Sequence, residues 1–119
     1  MTRSPLHRLD DIIRSVENAL HAIEGRSRDS LEEDWILSHA LQMAIVITAE
    51  AAKTLPRDLV ACYPGVEWTA LIKMGDRLKH NYHRLSTRVL WDTVARDLPT
   101  LLITAREMRD ALEESEPAE

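Results

Sequence analysis

Cysteine and glycine are both scarce in this chain of 119 residues. The single cysteine, Cys62, excludes an intramolecular disulfide and a zinc cluster built on cysteines. Three glycines and five prolines leave little material for long loops or for the closely spaced turns of an all-β fold. The composition therefore favours helices, and the length fits one domain with a single core.

A signal peptide and a membrane-spanning segment are also missing from the pattern. The N-terminal stretch MTRSPLHRLDD lacks the apolar segment of a signal peptide. We find no apolar run near the roughly 20 residues that span a bilayer. These absences predict a soluble, cytoplasmic protein with no membrane partner. The net charge of −5 argues against a protein whose whole surface attracts nucleic acid.

Apolar residues recur three and four positions apart near the N-terminus, which is the pattern of a helix that buries one face. Ser4 can cap this helix, Pro5 can begin it and Gly25 can end it. The spacing of Ser30 and Glu33 is that of a capping box, in which two side chains bond free backbone N–H groups reciprocally. We therefore expect a second helix to begin at Ser30 and to run through a largely apolar stretch.

Further along the chain, Pro56 is expected to end the second helix. Apolar residues between Trp68 and Leu78 then share one helical face, and Ser86 can cap the final helical stripe. That stripe continues through Pro99, which removes one backbone hydrogen bond. We expect a kink or short break there, with Asp97 as a possible cap for the second part of the stripe.

The predicted architecture is an all-α bundle of about five helices with short connections and a kink or break near Pro99. Residues 1–112 would form this single domain. Acidic residues dominate the remainder, so we expect residues 113–119 to form a disordered tail.

Positive charge is concentrated between Lys73 and Arg88, although the chain as a whole is acidic. Lys73, Arg77 and His80 are spaced i, i+4, i+7, so a continuous helix presents them on one face. Two cations beside an imidazole suit a phosphate, because histidine can move protons near neutral pH and a cation stabilises charge on phosphorus. His83, or His80 of a second subunit, is an available partner for the acid–base steps.

Simpler interpretations of these residues stay open. A basic run is commonly a solvated helix face, and helices often end in Lys and His, whose charge favours the negative pole of the helix. His80 and Tyr82 point to nearly opposite sides of a helix, so a shared site requires the backbone to leave the helix around Asn81. The other histidines show no metal-ligand spacing, and we predict neither a metal nor another cofactor.

Four segments resemble the HepT-like family of small helical HEPN proteins. MGDRLKHNY, followed by LWDTVARDLPTL, is similar to the family's Arg-x4-His-x-Tyr ribonuclease site and to the VWDTV-x-x-DLP-x-L segment after it. ITAEAAKTLP resembles the family's IGEAAK-x-LP, with Ala49 in place of glycine. YPGVEWTALIKM resembles the YP-x-(I/V)-x-W-x-x-(I/L)-x-x-M stretch that leads into the site. The resemblance covers roughly Leu9 to Leu112.

This resemblance implies a helical homodimer whose two copies bring their motifs together, metal-independent cleavage of RNA, and a role as the toxin of a toxin–antitoxin pair. It implies that His80 is the catalytic histidine. It also implies that an MntA-like nucleotidyltransferase, the antitoxin, inactivates the toxin by attaching AMP to Tyr82. Asp76 matches the polar residue that follows the family's arginine, but the position of the arginine itself is Gly75.

Gly75 is open to three interpretations. In the first, Arg77 provides the missing cation. In the second, Arg77 and His83 form the pair, which puts Leu78 at the usual polar position. In the third interpretation the site is degenerate, and the protein is a catalytically inactive dimeric module that docks a nucleotidyltransferase or RNA. We favour an altered but functional ribonuclease, because the basic stripe is otherwise hard to explain.

Overall fold

Helices make up all the regular structure of the residues described. The computed structural model describes residues 4–81 and 85–115, and no strand occurs in those two ranges. In chain order the helices are α1 (Pro5–Ala22), α2 (Asp29–Glu33), α3 (Trp35–Lys53), α4 (Arg57–Ala61), α5 (Trp68–Asn81), α6 (Thr87–Asp92) and α7 (Leu98–Ser115). The all-α prediction is confirmed. The described residues form seven α-helices and not the predicted five, because α2 is separate from α3 and a π-helical turn separates α6 from α7.

The first helix begins and ends as the sequence predicts. Ser4 Oγ accepts a hydrogen bond from the backbone N–H of His7 at 3.3 Å, and Pro5 is the first residue of α1. Gly25 has a φ of 70°, in the left-handed region that residues with a Cβ disfavour. A glycine there lets the chain turn away after the helix.

The predicted capping box is wrong, because the chain breaks between α2 and α3. Ser30 lies inside α2, and α3 begins separately at Trp35. Asp34 is the cap of α3, since its carboxylate accepts hydrogen bonds from the Leu37 backbone N–H at 3.1 Å and from Arg26 at 3.2 Å. These two hydrogen bonds hold the pKa of Asp34 below its ordinary value of 3.8, and the bond from Leu37 has the larger effect. A charged acceptor therefore fixes the start of the long helix.

The kink or break predicted near Pro99 takes the form of a π-helical turn, and Asp97, predicted as a cap, lies inside that turn. Residues Thr93–Asp97 form this turn between α6 and α7, and the Leu98 N–H donates to the carbonyl five residues back. The change of helical pitch accommodates a residue that has no N–H and whose ring crowds the preceding turn. Helical structure therefore continues through residue 115, three residues beyond the predicted domain boundary.

The central helix of the bundle is α3, which contacts both α1 and α5, while α7 packs on α1. Leu41, Ile45 and Ala52 of α3 are each at most 1% exposed. By length and composition alone this helix could also cross a membrane, although the sequence pattern predicted no apolar run of that kind. Since 44% of that stretch is buried inside the protein, core packing accounts for much of its apolar composition.

Candidate active site on the fifth helix

Trp68 anchors the start of α5. Its indole Nε1 donates to the Tyr63 carbonyl at 3.0 Å, and the side chain is 7% exposed. Further along, α5 packs on α3 and buries Gly75 and Leu78. This burial fixes the rotation of the helix and leaves another of its faces in solvent.

That solvent face carries the predicted basic residues. Lys73, Arg77 and His80 are all exposed and lie on one continuous helix. At about 100° per residue, they fall within roughly 60° of one another around the helix axis. Asp76 is half-buried at the edge of this face, about one turn before His80. Four of the predicted site residues are described by the structure, and all four lie close together on α5. We call the three exposed basic residues, Lys73, Arg77 and His80, the basic face.

Two other lysines beside this face are paired with carboxylates. Lys53 Nζ lies 3.0 Å from Asp76 Oδ1 and 3.7 Å from Glu50 Oε2, and Lys79 Nζ lies 3.3 Å from the same Glu50 oxygen. The hydrogen bond with Asp76, then the nearby charges of Asp76 and Glu50, raise the pKa of Lys53. These half-exposed pairs link α3 to α5 and stabilise little by themselves. The sequence did not predict Lys53, because its contact with Asp76 depends on how the two helices pack.

The basic face itself is unpaired. Within residues 4–81 and 85–115, Lys73, Arg77 and His80 form no salt bridge. They line neither the cavity between α5 and α7 nor the cleft beside α2 and α6. An open surface of this kind can receive a phosphodiester, since a guanidinium presents planar donors to phosphate oxygens and an imidazole can take or give a proton.

Gly75 is a packing residue in this chain. It is buried, and a Cβ built on it would overlap the Cβ of Ala49 on α3 and lie 3.7 Å from the Ala49 Cα. Position 75 is also about 140° from His80 around the helix axis, so it faces α3 and not the solvent. The packing leaves no room for an arginine at this position. The two departures from the family segments, Ala49 and Gly75, are therefore in contact with each other.

Two predicted site residues, Tyr82 and His83, lie outside the described residues, so their roles stay predictions. Leu78 is 6% exposed and belongs to the core. Pairing Arg77 with His83 would therefore put a core leucine at the position where the family pattern has a polar residue. Arg77 and His80, in contrast, lie on the same exposed face of α5.

The fold and the basic face together define a small helical domain with a surface suited to a phosphodiester. A family model described as "Ribonuclease HepT-like" matches residues 9–108 of the chain. The chain belongs to this HepT-like family, as the sequence motifs predicted.

Curated relatives from several organisms are similar over most of the chain. The chain is 34% identical over 95 residues to "Probable ribonuclease HepT" of Thermococcus cleftensis, covering 76% of this chain and 86% of that protein. It is 27% identical over 99 residues to a "Putative RNase" of Caldanaerobacter subterraneus subsp. tengcongensis, covering 83% and 88%. It is 26% identical over 91 residues to a "Putative RNase" of Methanocaldococcus jannaschii, covering 76% and 75%. No solved structure shows significant similarity to the chain.

Proposed function

We propose that this protein is a metal-independent ribonuclease with His80 as general acid or base and Arg77 as the cation at the phosphate. The observation that carries the proposal is the exposed basic face of α5, which forms no ion pair with the other described residues, in a chain of the HepT-like family. Relatives named as ribonucleases support it further. Arg77 takes the place of the arginine that the family pattern has at Gly75.

The reaction uses the RNA's own 2′-hydroxyl. A base removes the proton of this hydroxyl, its oxygen attacks phosphorus, and the bond from phosphorus to the 5′-oxygen breaks as that oxygen receives a proton. The products are a 2′,3′-cyclic phosphate and a 5′-hydroxyl. His80 moves one of the two protons, and the Arg77 guanidinium stabilises the charge that develops on the phosphate oxygens. Lys73, further from His80 along the helix, extends the contact to the RNA backbone, and Lys53 holds Asp76 in place beside His80.

We also propose a homodimer in which the second copy supplies the other acid or base. Ile36, Met43 and Ile47 of α3 are 64%, 56% and 46% exposed. Their spacing of seven and four puts them on one stripe, which leads to Glu50 and its ion pair with α5. Burial of this apolar stripe against its own copy would remove it from water and bring the two His80 side chains closer together.

Arg77→Ala is expected to lower the rate of RNA cleavage on the order of 10²- to 10³-fold, because it removes a charge donor at the phosphate. Lys73→Ala is the matched control: it removes a cation from the same face, but further from His80, and should cost much less. The measurement is single-turnover cleavage of labelled RNA. A wild-type rate for Arg77→Ala would remove Arg77 from the site. No cleavage by any folded form would favour the inactive dimeric module that docks a nucleotidyltransferase or RNA.

The proposed role is that of a cytoplasmic toxin held in check by an MntA-like nucleotidyltransferase antitoxin. Incubation with such a partner and ATP is expected to add one adenylyl group to Tyr82, read as an increase in intact mass and located by peptide mass spectrometry. Tyr82→Phe should stay unmodified. Tyr63→Phe, which changes the only other tyrosine of the chain, is the control and should be modified like the wild type. Equal modification of Tyr82→Phe would contradict the assignment.

A further inference from the structure

A cleft separate from the basic face lies between the loop that precedes α2 and the region where α6 passes into the π-helical turn. Its volume is about 450 Å³, within the roughly 300–1,000 Å³ of small-molecule sites. Its charged and aromatic lining residues are Arg28, Asp29, Trp91, Asp92 and Arg96. No residue of α5 lines it, so the proposed cleavage site does not explain it.

The charged side chains of this cleft are balanced in number but not paired with one another. Two guanidiniums and two carboxylates line it, yet none of the four forms an ion pair in the described part of the chain. Other arginines are paired, since Arg26 lies 3.2 Å from Asp34, and Arg109 lies 2.6 Å from Asp10. The cleft therefore offers guanidinium donors, from two separate segments of the chain, to an anionic ligand.

Trp91 adds a stacking surface beside these cations. Its side chain is half-buried, because it packs against the core while also lining the cleft. Packing holds the indole in place, and aromatic rings are platforms on which nucleobases stack. A ring for a base and guanidiniums for a phosphate together match the chemistry of a nucleotide.

The π-helical turn contributes to the shape of this cleft. Arg96 belongs to that turn, which begins directly after Asp92. A π-helical turn shifts side chains from their α-helical positions and is frequent at functional sites. The irregularity next to Pro99 therefore coincides with the wall of the cleft.

We infer that the cleft binds one nucleotide of a single-stranded RNA, with its base against Trp91 and its phosphate on Arg28 and Arg96. Asp29 and Asp92 accept hydrogen bonds from ribose hydroxyls or a base amino group, which are the donors that a nucleotide offers. This inference rests on the proposed ribonuclease function and adds an RNA contact separate from the basic face. Such a contact would fix which phosphodiester of a bound strand reaches His80.

The test is binding of a fluorescein-labelled single-stranded RNA to full-length protein that carries His80→Ala, so that cleavage does not interfere. Arg28→Ala and Arg96→Ala are each expected to weaken RNA binding on the order of tenfold. Each should also reduce the steepness of the plot of log K against log salt concentration by roughly 0.7. Arg14→Ala is the matched control, because Arg14 is exposed and helical but does not line the cleft. It should bind like its parent. Circular dichroism verifies that each variant is folded.

Tryptophan fluorescence separates a binding role from a structural one. RNA is expected to quench the fluorescence of the parent protein, and Trp91→Phe should lose most of this quenching although Trp35 and Trp68 remain. Unchanged RNA affinity when Arg28→Ala or Arg96→Ala is added to the His80→Ala protein, together with wild-type cleavage when either is made in protein that retains His80, would overturn the cleft and leave the ribonuclease intact. If AMP quenches the tryptophan fluorescence and neither arginine affects RNA affinity, the cleft binds a free nucleotide, and the RNA subsite is overturned. No RNA binding by any form would overturn the proposed function and this inference together.

Discussion

Gly75→Arg is expected to destabilise the bundle by about 3 kcal/mol or more, and not to create a better ribonuclease. The new side chain would start inside the contact between α5 and α3, where even a Cβ overlaps that of Ala49. The helices would have to move apart, and a guanidinium would be drawn towards an apolar interface. Urea unfolding monitored by circular dichroism gives the free energy directly.

A methyl exchange across the same contact provides the control. Gly75→Ala alone adds a Cβ and is expected to cost about 1–3 kcal/mol from overpacking, offset in part by the better helix propensity of alanine. The double variant Gly75→Ala/Ala49→Gly restores the number of methyl groups between the helices and should recover most of that loss. The two sites would then be coupled by about 0.5–3 kcal/mol. Additive effects of the two substitutions would contradict the close contact.

The same exchange makes the family's arginine testable in this chain. The double variant Gly75→Arg/Ala49→Gly has a glycine at position 49 of α3 and an arginine at position 75 of α5, as the family segments do. We expect this double variant to be more stable than Gly75→Arg alone. In the structure, Gly75 is the packing partner of Ala49.

His80→Ala is expected to lower RNA cleavage by roughly 10²- to 10⁴-fold, because it removes the group that moves a proton in the transition state. His80 is exposed, so the free energy of unfolding should change by no more than about 0.5 kcal/mol. His7→Ala, at an exposed position of α1, is the matched control and should cleave like the wild type. Single-turnover cleavage with protein in excess over RNA is the measurement. An undiminished rate in a folded His80→Ala protein would exclude His80 from the chemistry.

Local sequence patterns predicted the parts of the fold that depend on local interactions. Ser4, Pro5 and Gly25 mark the ends of α1, because capping and left-handed φ are properties of a few neighbouring residues. The shared face of Lys73, Arg77 and His80 results from helical spacing alone. The start of α3 was predicted wrongly, because the apolar pattern continues across Asp34 and conceals the break.

The features that could not be predicted depend on contacts between distant segments. Gly75 meets Ala49, and Lys53 reaches Asp76, only once α3 and α5 are packed together. Trp91 likewise joins a cleft with Arg28, which lies far away in the sequence. Periodicity in the sequence predicts which face of a helix is buried, but it does not predict which other helix packs against that face.

The most direct test of the proposed ribonuclease is the chemistry of the RNA ends that the wild-type protein produces in excess chelator. Cleavage that persists without divalent cations, and that leaves 2′,3′-cyclic phosphate and 5′-hydroxyl ends, is the result expected from attack by the 2′-hydroxyl. Cleavage that requires an added divalent cation and leaves 5′-phosphate ends would contradict this mechanism. So would the absence of cleavage by folded protein shown by its mass to carry no AMP.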